Sequence, residues 1–337
     1  SSSSAASDVY KRQPVDYATW LYETKLRILQ EHMGGEIAYL SHLVRTATGE
    51  ADDEPAEAWQ GALAALIAAF GVYRTYMDAR QFTDQDRAFI TAAVLFAKVR
   101  APKEASYIDR IGQLLLSYQP AVSDGNRQDT QRYIIMRLQQ FTGPAMAKGL
   151  EDTLFYTYNR LVSLNEVGGD PASFGMPIDR FHRFNEMRAR HWPGALNATS
   201  THDAKRGEDV RARLNVLSEM PQQWAEKVKQ WMQLNDEFKT SRDATVAPDT
   251  NDEYLLYQTL VGAWPFEPEE VEAFKQRVKD YMVKAVREAK RHSTWVAPDE
   301  PYETQMLAFI DHILDEDAGR TFVDDFLPFQ RHVRAYG

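Results

Sequence analysis

The chain has 337 residues, 44% of them hydrophobic, which is enough apolar material for a large core and for one large or two ordinary domains. A formal net charge of -10 with dispersed basic residues sets it against nucleic acid and anionic membrane surfaces, so a neutral ligand suits it better. It contains no cysteine, which excludes disulfide frameworks and thiolate metal sites, and no apolar run approaches the ~20 residues of a membrane span, so the cytoplasm is the expected compartment.

Residues 1–16 form a serine-rich, aperiodic tail, expected to be disordered and lacking the apolar core of a signal peptide. From Tyr17 to about Thr46 apolar residues recur at helical intervals around a break at Gly34 and Gly35, which predicts one long helix or two. The acidic stretch Glu50 to Glu54 precedes Pro55, which opens an alanine-rich helix from Glu57 to Phe70, because proline is tolerated at a helix start but not inside one. Val72 to Met77 reads as an extended link. Two helices follow, Asp84 to Val99 capped by Thr83 and Lys103 to Tyr118 stopped by Pro120. Residues 17–123 are expected to form a helical subdomain that ends at a turn over Ser123 to Asn126.

Residues 124–337 carry the motifs. A helix from Asp129 to Phe141 is expected to stop at Gly143 and Pro144. The segment with Lys148, Glu151 and Asp152 is too polar for a core helix and reads as a shaped loop or short helix. Tyr156, Tyr158, Asn159 and Arg160 offer aromatic faces and polar donors, which suit either a sugar site or the rim of a partly buried helix. Asn165, Glu166, Gly168, Gly169 and Pro171 make a loop whose glycines permit positive φ or close backbone approach. It is not a phosphate cradle, since neither the P-loop spacing nor the strand before a dinucleotide fingerprint is present. An amphipathic helix from Ile178 to Arg190 closes at Trp192, Pro193 and Gly194. The small and β-branched run Leu196 to Thr201 predicts a short buried strand ending at His202 and Asp203. Helices are then expected over Gly207–Leu217, Pro221–Asn235, Asp252–Trp264, Pro268–Arg291, Glu300–Asp315 and Phe322–Tyr336, and no internal repeat is present.

Barrel enzymes place their chemistry at strand ends, so His202 and Asp203, backed by Lys205, Arg206, Asp209 and Arg211, make a half-site; a strand exit with a solvated, charged helix start has the same residues. The remaining histidines, His32, His42, His182, His191, His292, His312 and His332, are scattered without the i, i+4 pairing of a zinc hydrolase helix, so no metal or other cofactor is expected. Ser200 lacks the glycine-flanked elbow of a serine hydrolase.

Residues 198–213, ATSTHDAKRGEDVRAR, resemble the fourth signature region of the α-amylase superfamily in the form seen in the maltooligosyltrehalose synthase family, ATSTHDTKRGEDVRAR, and depart from it only at Ala204. The blocks FTGPAMAKGLEDTLFYTYNRLVSLNEVGGD (141–170), NDEYLLYQTLVGAWP (251–265) and YMVKAVREAK (281–290) are similar to the family as well. The resemblance runs from Tyr17 to the C-terminus and corresponds to an interior portion of the family's chain. It implies a mainly α fold, with a helical insertion subdomain at 17–123 and an incomplete portion of an α-amylase-type (β/α)8 barrel at 124–337.

The implied reaction is an intramolecular transglucosylation in trehalose biosynthesis. The reducing-end α-1,4 bond of a maltooligosaccharide is cleaved, and the released glucose is rejoined through its anomeric hydroxyl in an α,α-1,1 bond. Asp203 would support the transition state and His202 would bond the sugar beside it. The nucleophile and general acid come from earlier signature regions with no counterpart between Ser1 and Asn197, so this chain alone is expected to be inactive. Holding glucose against water calls for a closed, donor-lined pocket, and Lys148, Glu151, Asp152, Tyr156, Asn159, Arg160, Asn165, Glu166, Lys205 and Arg206 are the further substrate-binding candidates. A maltooligosaccharide substrate and the pathway enzyme maltooligosyltrehalose trehalohydrolase are the implied partners. The alternative is a non-catalytic helical interaction or scaffold protein.

Overall fold

The computed structural model describes residues 16–49, 55–120, 126–242 and 245–337. The tail up to residue 15, the acidic stretch 50–54 and the turn residues 123–125 lie outside the described residues. The chain divides into two compact units, one of residues 15–154 and one built on residues 155–337.

Among the described residues the first unit holds six α-helices: α1 (Tyr17–His32), α2 (Gly34–Thr48), α3 (Ala56–Ala69), α4 (Asp84–Arg100), α5 (Ala105–Leu116) and α6 (Asn126–Met146). The single periodic stretch at the start is two helices, broken at Met33 just before the glycine pair. Helix α3 is apolar on nearly every face, with Trp59, Ala62, Leu63, Leu66 and Ile67 inaccessible, and such a helix has to sit at the centre of a core. It packs against all five of the others. Thr83 starts α4 with a reciprocal capping box: its hydroxyl accepts the Asp86 N–H (3.1 Å) and the Asp86 carboxylate accepts the Thr83 N–H (3.0 Å). Gly112 lets α5 approach α4, since a Cβ there would lie 2.8 Å from a Val94 methyl.

The helix expected to stop at Gly143 instead runs through Pro144. The residue before a proline avoids the α region because its Cβ and N–H clash with the proline ring; Gly143 has no Cβ, so the clash is relieved. The chain then widens into a π turn at Ala147–Glu151, closed by the Asp152 N–H to the Ala147 carbonyl (3.0 Å). Because α6 and this turn pack on α1 and α3, they belong to the first unit, whereas the sequence pattern groups them with the motif-bearing residues of the second.

The second unit has α7 (Ile178–His191), α8 (Glu208–Val216), α9 (Pro221–Leu234), α10 (Thr250–Ala263), α11 (Val271–Ala289), α12 (Glu300–Ile313) and α13 (Arg320–Tyr336). An antiparallel hairpin, β1 (Thr240–Arg242) with β2 (Thr245–Ala247), pairs Ser241 with Val246. Its core is aromatic. Trp224, Trp231, Tyr257, Phe322, Phe326 and Phe329 meet at mostly edge-on angles, as in Trp231 and Phe322 at 5.6 Å and 85°. The Trp231 indole N–H is spent on Asp325 (2.7 Å), which also receives Lys227. Among the described residues no helix is long and apolar enough to cross a membrane.

The strand expected over Leu196 to Thr201 is not formed. Leu196 is 94% exposed, and the only ladder among the described residues is the β1–β2 hairpin. A parallel barrel strand is stable when neighbours cover its edges and faces, so a β-branched run without them has no reason to extend. Arginines bind its carbonyls in place of a ladder: Arg188 donates to Leu196 O (3.1 Å) and Arg211 to Thr199 O.

Candidate functional site

The site residues divide between the units. In the first unit the π turn carries Lys148, Glu151 and Asp152. Lys148 pairs with Asp152 (2.6 Å), one helical turn apart, and Glu151 is buried and accepts the Tyr73 hydroxyl. The Thr153 hydroxyl donates to the Lys148 carbonyl (2.8 Å), which closes the turn on itself.

In the second unit, the segment 155–166 is held by α10. Gln258, fully buried, accepts the Val162 N–H (2.9 Å) and donates to the Asn159 carbonyl (2.7 Å), while Tyr254 donates to the Arg160 carbonyl (3.1 Å). Asn165 is buried and its amide donates to the carbonyls of Phe155 (3.0 Å) and Tyr158 (2.9 Å). Among the described residues the Asn159 amide reaches the Tyr156 carbonyl alone, at 3.4 Å. These two asparagines, expected to face a sugar, hold their own backbone instead. Tyr156 and Tyr158 are buried too, with the exposed Arg160 guanidinium 5.1 Å from the Tyr158 ring centre.

The loop after Asn165 turns at Gly168, whose φ of +74 favours glycine, and at Gly169, where a Cβ would fall 2.8 Å from the Glu166 carbonyl. This turn presents the Glu166 carboxylate to a segment far away in sequence. It accepts the backbone N–H of Lys205 (2.7 Å) and of Arg206 (3.4 Å), and that of its neighbour Val167 (2.9 Å). Arg206 adds its guanidinium to the Val162 carbonyl (3.2 Å) and the Tyr281 hydroxyl (2.7 Å), and the Lys205 ammonium sits 5.6 Å from the Tyr156 ring centre. Glu166, Lys205, Arg206, Tyr156 and the 155–166 segment are therefore one assembly. A cleft of about 260 Å³ opens beside it, lined by Lys205, Arg206, Arg277 and Tyr281 over Phe274 and Val278.

His202 and Asp203 precede this anchor directly. Their side chains lie 3.2 Å apart and are 89% and 70% exposed. The pair sits on an exposed loop rather than at a strand end.

A further cluster was not visible in the sequence. Asp249, Asp252 and His292 bring their donor atoms within 4.8 Å of one another, with Arg291 3.2 Å from Asp249 and the Tyr302 hydroxyl donating to Asp252 (2.6 Å). Burial, then the neighbouring Asp249 charge, pushes the Asp252 carboxyl up to about 6. The hydrogen bond to Asp249 raises His292. Although burial works the other way, the bond to His292 and the charge of Arg291 hold Asp249 below the usual carboxylate range. Asp249 also caps α10, accepting the N–H groups of Asn251 and Asp252 at 2.9 Å each. The donors would suit a cation, but every one of them already has a partner.

No protein-family model matches the chain. Over 180 residues, 53% of the chain, it is 41% identical to a protein of Mycobacterium tuberculosis that carries the name maltooligosyl trehalose synthase. The chain resembles part of a maltooligosyl trehalose synthase. Solved structures agree: the maltooligosyltrehalose synthase of Arthrobacter ramosus is matched over 99% of the chain with a TM-score of 0.76 at 27% identity. A Sulfolobus tokodaii protein described as a hypothetical maltooligosyl trehalose synthase is matched over 98% with a TM-score of 0.73 at 30% identity. The chain spans well under half of these synthases: 22% of the Mycobacterium protein, 38% of the Arthrobacter one and 39% of the Sulfolobus one.

Proposed function

We propose that this chain supplies part of a maltooligosyl trehalose synthase, an isomerase that moves the reducing-end glucose of a maltooligosaccharide from an α-1,4 to an α,α-1,1 bond in trehalose biosynthesis. The observation that carries the reading is the His202–Asp203 pair, exposed on a loop whose next residues Lys205 and Arg206 are pinned by Glu166, in a chain similar to synthases in both sequence and fold. A loop anchored this way presents a carboxylate at a fixed place without burying it, which suits a group that meets sugar hydroxyls.

In this reading Asp203 supports positive charge developing at the anomeric carbon, with His202 bonding the sugar beside it. Lys205 and Arg206 set the loop's far end, and Glu166 acts through that loop. Lys148, Glu151 and Asp152 hold hydroxyls of the released glucose. One C1–O bond breaks and another forms with no net water, so the glucose has to be retained. The nucleophile and general acid, two more carboxylates at fixed separation, are supplied by the rest of a longer polypeptide, and the chain of residues 1–337 alone turns over no maltooligosaccharide. The portion 155–337 is proposed to complete a barrel in that polypeptide. The product passes to a maltooligosyltrehalose trehalohydrolase, and the protein works in the cytoplasm.

A second reading, a non-catalytic interaction module, draws on α7, which buries none of its residues and leaves Ile178, Phe181, Phe184 and Met187 exposed. The two separate on Asp203→Ala in a polypeptide of the synthases' full length that carries this sequence. A carboxylate acting in the transition state lowers kcat far more than it raises KM when removed; near-normal kcat leaves the interaction reading standing.

A further inference from the structure

Lys25 lies in the middle of α1, and no part of it is accessible to solvent. Its ammonium has no carboxylate partner among the described residues, and burial alone pulls it down to about 7. Burying an ammonium without a counter-charge is costly. The Lys25 ammonium donates to the carbonyl of Phe70 (2.7 Å), the residue that ends α3. A donor there satisfies one of the carbonyls that a helix C-terminus leaves open.

Two paths lead from Lys25 to Glu151. The first runs through the backbone of Lys25 itself. The π turn rests on α1 at Gly149, where a Cβ would fall 2.6 Å from the Lys25 Cγ and 3.0 Å from its Cα, so the turn that carries Glu151 touches this one residue directly. The second runs through the amine. Past Phe70 the chain turns into the extended link, and three residues on, the Tyr73 hydroxyl donates to the Glu151 carboxylate. Further along, the link is stitched to α6 by Gln139, which bonds Thr75, Met77 N–H and Met77 carbonyl at 3.0, 2.8 and 2.9 Å. The link is therefore anchored after Tyr73 by Gln139 and by Asp86, which accepts the Tyr76 N–H (3.3 Å), and before it by Lys25.

We infer that Lys25 is a positioning residue for Glu151: its amine fixes the start of the link that delivers the Tyr73 hydroxyl, and its backbone seats the turn that carries the carboxylate. The inference rests on the proposed role of Glu151 in holding the released glucose. Lys25 touches no substrate. Its effect on the reaction goes through where Glu151 stands, and so does that of Tyr73.

The test is product partition in a full-length polypeptide that carries this sequence, read as free glucose against trehalose-ended sugar. A variant that only lowers the folded fraction slows both products and leaves their ratio unchanged, whereas a displaced Glu151 lets water compete in each turnover. Lys25→Met keeps the bulk and removes the donor. Losing one hydrogen bond's worth of positioning should raise the glucose ratio roughly two- to tenfold. Tyr73→Phe should do the same, and it keeps the test open if Lys25→Met does not fold. Glu151→Gln is the reference: combined with either variant, it should give no further rise. A ratio that moves with Glu151→Gln but not with Lys25→Met or Tyr73→Phe overturns the positioning role alone. A ratio unmoved by Glu151→Gln overturns the reading of Glu151, and the inference with it.

Discussion

Glu166→Ala is the perturbation that isolates how the His202–Asp203 loop is held. The carboxylate accepts three backbone N–H groups, of which the Lys205 bond at 2.7 Å is the short one and the only close one that spans a large sequence gap. Bonds to a charged acceptor are worth about 1.5–3 kcal/mol each. Arg206 at 3.4 Å adds little, the Val167 bond is local, and Glu166 is half-buried, so the lower end for one bond, about 1.5 kcal/mol, is the reasoned figure. That corresponds to roughly a tenfold loss of protection of the Lys205 amide in hydrogen exchange. The buried amides of α10 should be unchanged, because Gln258 and Tyr254 hold their segment independently of Glu166. Glu166→Gln, which keeps an acceptor oxygen, should lose less. Equal protection of Lys205 and Arg206 in the alanine variant and the parent would refute the claim that Glu166 anchors the loop.

The same geometry sets three other outcomes. Lys25 should make the first unit more stable as pH rises: between its folded value of about 7 and its ordinary 10.5 the unfolded chain binds the extra proton, so stability climbs by up to about 1.4 kcal/mol per unit across that window and is flat below it. Denaturant titrations from pH 7 to 9.5 should lose that slope in Lys25→Met. Thr83→Ala removes half of the α4 capping box and should cost about 0.5–2 kcal/mol in the same titration, with Thr83→Ser nearly silent. Limited proteolysis should cut first between Ala172 and Asn197, where side chains are exposed throughout apart from a few on α7, and should leave the α10 region intact; a first cut within α10 would contradict the core assignment.

Elements whose signals are local are legible in the sequence. Thr83 with Asp86 marks a helix start whatever surrounds it, and of the apolar stripe Phe274, Val278, Tyr281, Met282, Ala285 and Ala289 all but the half-buried Tyr281 are buried as the period predicts. Features that depend on distant neighbours are not. A β-branched run such as Leu196 to Thr201 takes its conformation from the strands beside it, and here arginines serve its carbonyls. Pro144 reads as a stop because the relief that Gly143 gives it acts over one bond and carries no periodicity. The same division runs through the candidate site. His202 and Asp203 are adjacent in sequence and remain together, while the Glu166 clamp on Lys205, the Gln258 clasp on 159–162 and the Asp249–His292 pair join residues separated by 39, 96 and 43 positions. Asn159 and Asn165 read as sugar ligands because an amide's chemistry is the same whether it faces a sugar or its own backbone.

The central claim is tested most directly by following oxygen. A polypeptide of the synthases' full length that carries this sequence, given maltopentaose in water labelled with oxygen-18, should yield a non-reducing, trehalose-ended isomer of unchanged mass, because the bond is moved rather than hydrolysed. Labelled reducing sugars as the main product, or no turnover at all, would contradict it.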